Sequence, residues 1–501
     1  MTAPEPYFPF SYLEANAAAR PAAPAVWQDG RELSFARLRE LVLQAAGWLA
    51  QQGVGEGSVV GVRLPNVWQY VVLEAAIPYL GAVIVPLPLV LGEHELDFAL
   101  GRTGAAPVIS QDGSLPAAAL AVAADRLFES AASPPPPAAS RPERVVEVAL
   151  TSGSTGLPKL AGLTAELKQV TFEGFTSRLD IVPEDRVLAM TPLTQGIGGM
   201  CLYCLRRGAT LVLPGAARWN AEQTLEVIRA ARPTVLVGVP TNVIRMLNSP
   251  AFEPRELAGI RATAVAGAPM PPEVAERWEN LTGSRVCIFY GSMDAGQLAV
   301  AGPSDPQGKR WTTVGRPHDR ARWAILAPDG GEVPPGESGE ICMAGPLVQP
   351  RYWGEDRGPY AEDGWAHLGD LGFTDAEGYL HVVGRAKDIV IRGGANINPY
   401  EVESILRAHP EVMDACVVGR PHPDLGEVPV AFVVPRGDPA GLAERLRTHL
   451  GERGLARYKW PEEVRLLPEI PLSGPGKVDR RTLREFAQQE AEGGAGALSV
   501  P

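Results

Sequence analysis

The sequence predicts an α/β protein with a large, multi-sheet N-terminal domain and a small α+β C-terminal domain. The chain has 501 residues, more than a single hydrophobic core usually supports, so two or more domains are expected. From residue 35 to residue 130, helical patterns alternate with short β-branched runs, which is typical of layered α/β structure. A glycine- and proline-rich β segment, AILAPDGGEVPPGESGEICMAG, follows a second α/β passage. The large domain is therefore predicted to combine layered α/β subdomains with a β-rich subdomain.

Changes in composition place the domain boundaries. A proline-rich connector at residues 133–143 can neither continue a helix nor pair in the centre of a sheet. The last alternating runs, AKDIVIRGG, DACVVGR and VPVAFVVP, form a separate short α/β unit that begins at GRAK. The small, polar tail is expected to be disordered. The sequence thus predicts a large domain at residues 1–384, a small domain at residues 385–487 and a disordered tail at residues 488–501.

Charge and hydropathy argue against nucleic-acid and membrane partners. Lys and Arg number 46 against 58 Asp and Glu, for a net charge of -12, and no long basic run could neutralise a nucleic-acid backbone. The start MTAPEPYFPF lacks a basic region followed by an apolar one, so no secretory signal is expected. The most apolar region, residues 71–91, contains a glutamate and three prolines, and it predicts a core helix followed by a buried strand.

The five cysteines indicate a reducing compartment. They are few, odd in number and mostly set among apolar residues, so we expect a cytoplasmic protein without a disulfide framework. Cys201 and Cys204 form a C-x-x-C, but the surrounding GGMCLYCLRRGA predicts a buried helical segment without a second pair of metal ligands. A structural role is therefore expected for this pair.

The run LTSGSTGLPKL at residues 150–160 has the composition of an anion-binding loop. A strand leading into a glycine-rich turn exposes successive backbone N–H groups, and hydroxyls and one lysine add further donors to phosphate oxygens. The spacing from Gly153 through Gly156 to Lys159 differs from that of the nucleotide-triphosphatase P-loop. From the residues alone, the loop is either a phosphate site or a mobile surface connector.

Six further motifs accompany this loop, and together they resemble the adenylate-forming superfamily. That superfamily comprises acyl-CoA synthetases, peptide-synthetase adenylation domains and luciferases, and LTSGSTGLPK is similar to its phosphate loop. The other motifs follow in the family's order over nearly the whole chain: GVPTNVIRML, AGAPMPPEV, YGSMD, GWAHLGDLG, GYLHVVGRAKDIVIRGGANINPYEVE and PLSGPGKVDRR. Seven motifs in the correct order identify the chain as a member of this superfamily.

The resemblance implies a two-step reaction that uses ATP and Mg²⁺, with CoA as the favoured co-substrate. A carboxylate attacks the α-phosphate of ATP, pyrophosphate leaves, and an acceptor then takes the acyl group from AMP. Such a step depends on positioned donors and a metal more than on an acid–base pair. The residues implied in ATP and AMP binding are Thr151, Ser152, Gly153, Ser154, Thr155, Gly156, Lys159, Gly267, Ala268, Pro269, Tyr290, Gly291, Met293, Asp370, Arg385 and Lys477.

Four of the implied roles belong to charged residues near the end of the chain. Asp370 resembles the aspartate that accepts both ribose hydroxyls, and Arg385 the arginine that reaches ribose or phosphate. Lys387 corresponds to the position about which the small domain rotates, so that domain is expected to be mobile. Lys477 resembles the lysine that bridges the carboxylate and the α-phosphate. The implied catalytic residues are thus Lys477, Arg385 and the phosphate-loop Lys159.

The chain departs from the family pattern around its substrate pocket. Met293 and Asp294 stand where relatives commonly have Thr-Glu; Asp294 can still help to hold Mg²⁺, but Met293 donates no hydrogen bond. Gln195 replaces a histidine or aromatic residue; it could orient a polar acid or an amine, or be an ordinary residue at a helix start. The implied pocket residues are Gln195, Gly196, Gly238, Val239, Ala266, Gly267, Gly291 and Ser292.

Several functions are compatible with these residues. The leading hypothesis is activation of an aromatic or otherwise planar carboxylic acid and transfer to CoA, because Gly393 and Gly394 match the glycines that line the pantetheine tunnel of CoA-using relatives. These two glycines could equally form a hairpin turn. The alternatives are transfer to an amine, as in stand-alone relatives of secondary metabolism, activation of nitrite for an arylamine, and a non-catalytic adenylate-binding protein. A monomer or homodimer is expected.

Overall fold

The chain divides into two compact units. The first comprises Met1–Met270, Val274–Ala324 and Cys342–Leu368, and the second comprises Pro271–Glu273, Ile325–Ile341 and Gly369–Pro501. The computed structural model describes residues 9–113, 115, 121–129, 133–139, 141–151, 158–215, 219–471 and 478–489. The boundary predicted at Arg385 stays a prediction; this residue ends a strand of the second unit and precedes a short 3₁₀ turn, Ala386–Asp388.

The helices and strands are numbered in chain order. The strands are β1 Pro24–Gln28, β2 Arg31–Ser34, β3 Val59–Arg63, β4 Val83–Pro86, β5 Val108–Ser110, β6 Ala121–Ala123, β7 Val145–Thr151, β8 Lys159–Thr164, β9 Arg186–Ala189, β10 Thr210–Leu213, β11 Val235–Gly238, β12 Ala262–Val265, β13 Arg285–Gly291, β14 Gln297–Val300, β15 Arg316–Pro317, β16 Arg322–Leu326, β17 Gly339–Ala344, β18 Ala366–Thr374, β19 Leu380–Arg385, β20 Val390–Arg392, β21 Ala395–Ile397, β22 Val412–His422, β23 Gly426–Pro435 and β24 Glu463–Leu466. The α-helices are α1 Pro9–Ala19, α2 Phe35–Gln51, α3 Trp68–Tyr79, α4 Glu93–Thr103, α5 Ala165–Arg178, α6 Gly196–Cys201, α7 Ala221–Ala231, α8 Pro240–Leu247, α9 Pro272–Thr282, α10 Gln307–Thr312, α11 Pro399–Arg407, α12 Leu442–Glu452 and α13 Arg480–Gln488.

Two large sheets form the framework of the first unit. One has nine strands in the order β15-β14-β13-β12-β11-β9-β10-β1-β2, and its centre from β13 to β1 is parallel. The other has six strands in the order β6-β5-β3-β4-β7-β8, parallel except for the β7–β8 pair. The central strands are fully buried, as expected for parallel strands covered on both faces. The predicted layered α/β structure is confirmed.

A smaller mixed sheet, in the order β21-β20-β23-β22 with β24 beside β23, lies in the second unit. Alternation along β22 places Ala415 and Val417 in one apolar cluster, with residues of α11 and α12, and Cys416 and Val418 in another, with Leu483 of α13. A further four-stranded sheet has the order β16-β17-β18-β19. The predicted small α+β domain and β-rich part are therefore present.

Two local predictions are confirmed by the elements they concern. The apolar region at residues 71–91 forms most of helix α3 and the buried strand β4, and α3 contains Pro78 in its last turn. Cys201 and Cys204 lie buried in α6 and the following 3₁₀ turn, Leu202–Arg207. Within the described ranges, every helix falls short of the length and apolar character that crossing a membrane requires.

A buried charge cluster joins three elements of the first unit. Lys168 of α5 donates from Nζ to Glu74 Oε1 of α3 at 2.7 Å and to the Oε2 of Glu147 in β7. The three side chains are between 6% and 14% exposed. Burial raises the pKa of the Glu74 carboxyl, while the Lys168 ammonium opposes that shift. The lysine thus holds two carboxylates beside the strand that leads into the predicted phosphate loop.

Candidate active site

Most of the predicted pocket residues lie at one edge of the nine-stranded sheet. β9, β11, β12 and β13 are parallel neighbours, so their carboxyl ends share this edge, where open α/β sheets bind ligands. Gly238 ends β11, and the N–H of Ala266, which follows β12, donates to the Gly238 carbonyl at 3.2 Å. Tyr290 and Gly291 end β13. The structure therefore brings these residues together from motifs that are far apart in the sequence.

Gln195 reaches the same edge through the loop that follows β9. It is the N-cap residue of α6, and the N–H of Met190, at the start of the loop, donates to the Val237 carbonyl of β11 at 2.9 Å. Asn66 fixes the loop: its Nδ2 donates to the Thr191 carbonyl at 2.9 Å, and its Oδ1 accepts from the Leu193 N–H at 2.8 Å. Asn66 was absent from the predicted site, because nothing in LPNVW signals a partner 125 residues away.

Met293 covers the start of α6. A Cβ added at Gly196 would lie 2.6 Å from Met293 Sδ, closer than real contacts allow. Met293 also packs against Ala149, Ala161 and Leu167 of the β7–β8 hairpin and α5. The thioether thus fills the space between the pocket floor and the strands of the predicted phosphate loop. Met293, which has no hydrogen-bond donor in its side chain, is thus a packing residue at this position.

Replacing Gly196 with alanine is expected to destabilise the fold by about 1 kcal/mol relative to the same change at Gly101, because Met293 has to change its rotamer to make room for the added methyl group. Combining it with Met293→Ala should recover part of this loss, so the two effects should be non-additive by at least about 0.5 kcal/mol in urea denaturation. Gly101→Ala in α4 is the matched control, since a Cβ there meets no described atom within 4 Å. Additive effects of the two substitutions would contradict the contact.

The predicted phosphate loop joins an antiparallel hairpin. Thr151 ends β7 and Lys159 begins β8, and these two residues are paired across the hairpin. Lys159 Nζ donates to Tyr352 Oη at 3.1 Å. This hydrogen bond raises the pKa of the Lys159 ammonium, which outweighs the opposite effect of burial. The remaining loop residues of the prediction, Ser152, Gly153, Ser154, Thr155 and Gly156, lie outside the described residues.

Asp294 is held by two neighbours. Its Oδ1 accepts from Gln349 Nε2 at 3.2 Å, and its backbone N–H donates to Ser292 Oγ at 3.2 Å. Mg²⁺ prefers oxygen ligands and is commonly bound through one or two carboxylates, several waters and substrate phosphates. A single oriented carboxylate of this kind fits the part that the resemblance implies for Asp294.

Asp370 and Arg385 face each other in the second unit. They are paired across β18 and β19, and Arg385 Nε donates to Asp370 Oδ1 at 3.0 Å. The Asp370 side chain is 10% exposed and that of Arg385 is 46% exposed. The aspartate therefore has a fixed orientation, while the arginine head remains accessible to a ligand. Ala268 and Pro269 belong to the loop after β12 in the first unit, and Val239 follows β11 as the N-cap residue of α8.

The predicted hinge residue Lys387 lies in a turn anchored to α13. Arg484 of that helix donates from Nη2 to Asp388 Oδ1 at 2.6 Å and to the Lys387 carbonyl at 3.4 Å. Gly393 and Gly394 form the turn between β20 and β21 with φ of +55° and +84°. These two glycines therefore form a hairpin turn, which was one of the two predicted alternatives. Lys477 lies outside the described residues.

Comparison with known proteins connects these features. The sequence profile described as "AMP-binding enzyme" matches residues 13–353, and that of the "AMP-binding enzyme C-terminal domain" matches residues 401–477. A feruloyl-CoA synthase of Amycolatopsis sp is 34% identical over 479 residues, covering 93% of this chain and 96% of that protein. The crystal structure of the anthranilate CoA ligase AuaEII with anthranoyl-AMP is 26% identical, with a TM-score of 0.88, over 97% of this chain and 98% of that one. The amide bond synthetase McbA of Marinactinospora thermotolerans is 26% identical, with a TM-score of 0.82, over 96% of this chain and 100% of that one.

Proposed function

Because the chain belongs to the AMP-binding enzymes, the adenylate-forming ligases, we propose that it activates an aromatic or otherwise planar carboxylic acid and transfers the acyl group to CoA. In the first step an acid oxygen attacks the α-phosphorus of ATP and the bond to pyrophosphate breaks. In the second step the CoA thiolate attacks the acyl carbon and AMP leaves. The observation that carries the proposal is the convergence of Gln195, Gly238, Gly267 and Tyr290 at one sheet edge.

Individual charged residues have separate parts in the binding of ATP. Lys159 holds the β- and γ-phosphates, and its raised pKa keeps it cationic over the whole physiological range. Asp370 accepts the ribose hydroxyls, with Arg385 keeping its carboxylate oriented. Lys477 follows the charge from the acid oxygen to the α-phosphate. Catalysis by such residues is orientation and charge stabilisation rather than proton transfer.

Asp294 would hold Mg²⁺ together with water and the phosphates of ATP. When bound, the ion would neutralise charge on the phosphate oxygens as pyrophosphate leaves. The contribution of the chain itself is to keep the Asp294 carboxylate oriented through Gln349 and through the Ser292 turn.

The sheet edge is closely packed around two of the pocket glycines. A Cβ at Gly238 would lie 2.5 Å from Asn242 Oδ1 and 2.9 Å from Met190 Cε, and a Cβ at Gly196 would lie 2.6 Å from Met293 Sδ. These side chains therefore pack directly against the glycine backbone. The names of the feruloyl-CoA synthase and the anthranilate CoA ligase support an aromatic acid.

CoA and an amine are both candidate acceptors of the acyl group, and more observations support CoA. A Cβ at Gly394 would meet no described atom within 4 Å, which leaves room for a thin arm to pass close to the backbone. The CoA ligases among the relatives support the same acceptor. An amine is the second candidate, because the amide bond synthetase McbA shares the fold and the Gln195 amide could orient an amine.

With a panel of aryl and alkyl acids, an aryl acid is expected to give the fastest ATP–pyrophosphate exchange. AMP release with that acid should then rise severalfold when CoA is added and remain unchanged with amines. Faster release with an amine would favour the second candidate. Exchange with alkyl acids alone would contradict the aromatic assignment. AMP formed only with nitrite and an arylamine would overturn carboxylate activation altogether.

A further inference from the structure

We propose that Tyr352 is a positioning residue for ATP binding: with Gln349, it forms a brace that fixes the Lys159 ammonium and the Asp294 carboxylate relative to each other. The brace is the segment of residues 349–352, which follows the 3₁₀ turn Gly345–Leu347. This inference rests on the proposed function, because it takes the role of Lys159 in phosphate binding as given. All of these residues belong to the first unit.

The side chain of Tyr352 fixes the lysine from two directions. Its hydroxyl accepts from Lys159 Nζ at 3.1 Å, and the same nitrogen lies 4.9 Å from the centroid of the ring. Tyr352 is 6% exposed, so the ring itself has little freedom. A lysine has a flexible four-carbon stem, and a buried hydroxyl acceptor favours one of its many rotamers.

The backbone around Tyr352 is attached to the strand that carries the lysine. Tyr352 forms an antiparallel bridge with Ala161, and the Trp353 N–H donates to the Leu160 carbonyl at 2.8 Å. Ala161 and Leu160 immediately follow Lys159 on β8. The brace therefore pairs with β8 of the β7–β8 hairpin, and a shift of the brace would displace this hairpin.

The other end of the brace holds the carboxylate. Gln349 is fully buried, and its Nε2 donates to Asp294 Oδ1 at 3.2 Å. Its backbone N–H points to the Asp294 carbonyl at 3.4 Å. One short segment therefore sets the spacing of a phosphate-binding cation and a metal-binding carboxylate.

The test is Tyr352→Phe, which keeps the ring and removes the hydroxyl acceptor. We expect ATP affinity, measured by calorimetry with ATP alone, to fall about tenfold, because a hydrogen bond to a charged group is lost. KM for ATP should rise by the same factor with kcat nearly unchanged, since Lys159 binds ATP before and during the reaction.

Two further variants separate positioning from a structural defect. In a Lys159→Ala background, Tyr352→Phe should have no additional effect on ATP affinity, because its target is gone. Tyr360→Phe is the matched control: the Tyr360 hydroxyl accepts from the Gly345 N–H at 3.2 Å, and its loss should leave ATP affinity unchanged. Equal ATP affinity in Tyr352→Phe and the wild type, or additive effects with Lys159→Ala, would overturn the proposal. Absent acid-dependent exchange in the wild type would refute the proposed function instead, while the calorimetric comparison would still test the brace.

Discussion

Replacing Lys477 with alanine is expected to slow acid-dependent ATP–pyrophosphate exchange by about 10²–10³-fold while ATP affinity stays nearly unchanged. This lysine is implied to donate to oxygens on which charge develops as the α-phosphate is attacked, and removing one such donor typically costs that factor. Its contribution arises in the transition state, so kcat and kcat/KM should fall together. Radiolabelled pyrophosphate exchange measures the first quantity and calorimetry with ATP the second.

A surface lysine of the same unit provides the control for this experiment. Lys459 donates to both carboxylate oxygens of Glu401, at 2.9 and 2.7 Å, and it has no part in the proposed reaction. Lys459→Ala should leave exchange at the wild-type rate. Exchange that is equally fast in Lys477→Ala would remove this lysine from the mechanism, and a matching loss of ATP affinity would make it a binding residue only.

The largest expected effect on stability comes from Lys168→Met, which should cost about 3–5 kcal/mol at pH 7. The substitution removes the cation that Glu74 and Glu147 share and leaves two nearly buried carboxylates side by side. Urea denaturation measures the loss. Arg37→Met breaks an exposed ion pair with Glu40 in the same unit and should cost less than about 1 kcal/mol.

The pH dependence of this variant follows from the direction of the pKa shift. A carboxyl whose pKa is raised by folding binds its proton more tightly in the folded chain, so stability falls as the pH rises through that range. Without Lys168 to oppose the shift, the variant should regain stability as the pH falls from 7 to 5. Adding Glu74→Gln should have a similar benefit at pH 7. A loss that is independent of pH, and untouched by Glu74→Gln, would show that Lys168 contributes only packing.

Local patterns in the sequence predicted those parts of the structure that depend on local periodicity. The alternation of helices and strands gave the layered α/β class, and the apolar region at residues 71–91 correctly predicted α3 and β4. The pocket residues were proposed from the resemblance to the adenylate-forming superfamily and not from periodicity. The structure places Gly238, Ala266 and Gly291 at the carboxyl ends of neighbouring parallel strands, which share one edge of the sheet.

Contacts between distant residues were outside the reach of such patterns. Tyr352 meets Lys159 across 193 positions, and Glu74 meets Lys168 across 94. Neither pair has a spacing that periodicity could reveal, because both depend on how strands from different parts of the chain are packed. The packing role of Met293 was equally hidden, since its contacts with Gly196 and with the β7–β8 hairpin also join distant parts of the chain.

All five cysteine thiols are buried, so their reaction with an alkylating reagent reports local opening of the structure. The thiolate is the form that reacts with alkylating reagents. Burial raises the pKa of the Cys287 thiol to about 12, and it also raises the pKa of the thiols of Cys201, Cys204 and Cys416. Alkylation at neutral pH therefore requires a transient opening of the surrounding core. Cys416 belongs to the second unit, whereas Cys201, Cys204, Cys287 and Cys342 belong to the first. The rate at which each cysteine is alkylated, followed by mass spectrometry, therefore measures how often the core of each unit opens in the wild-type protein.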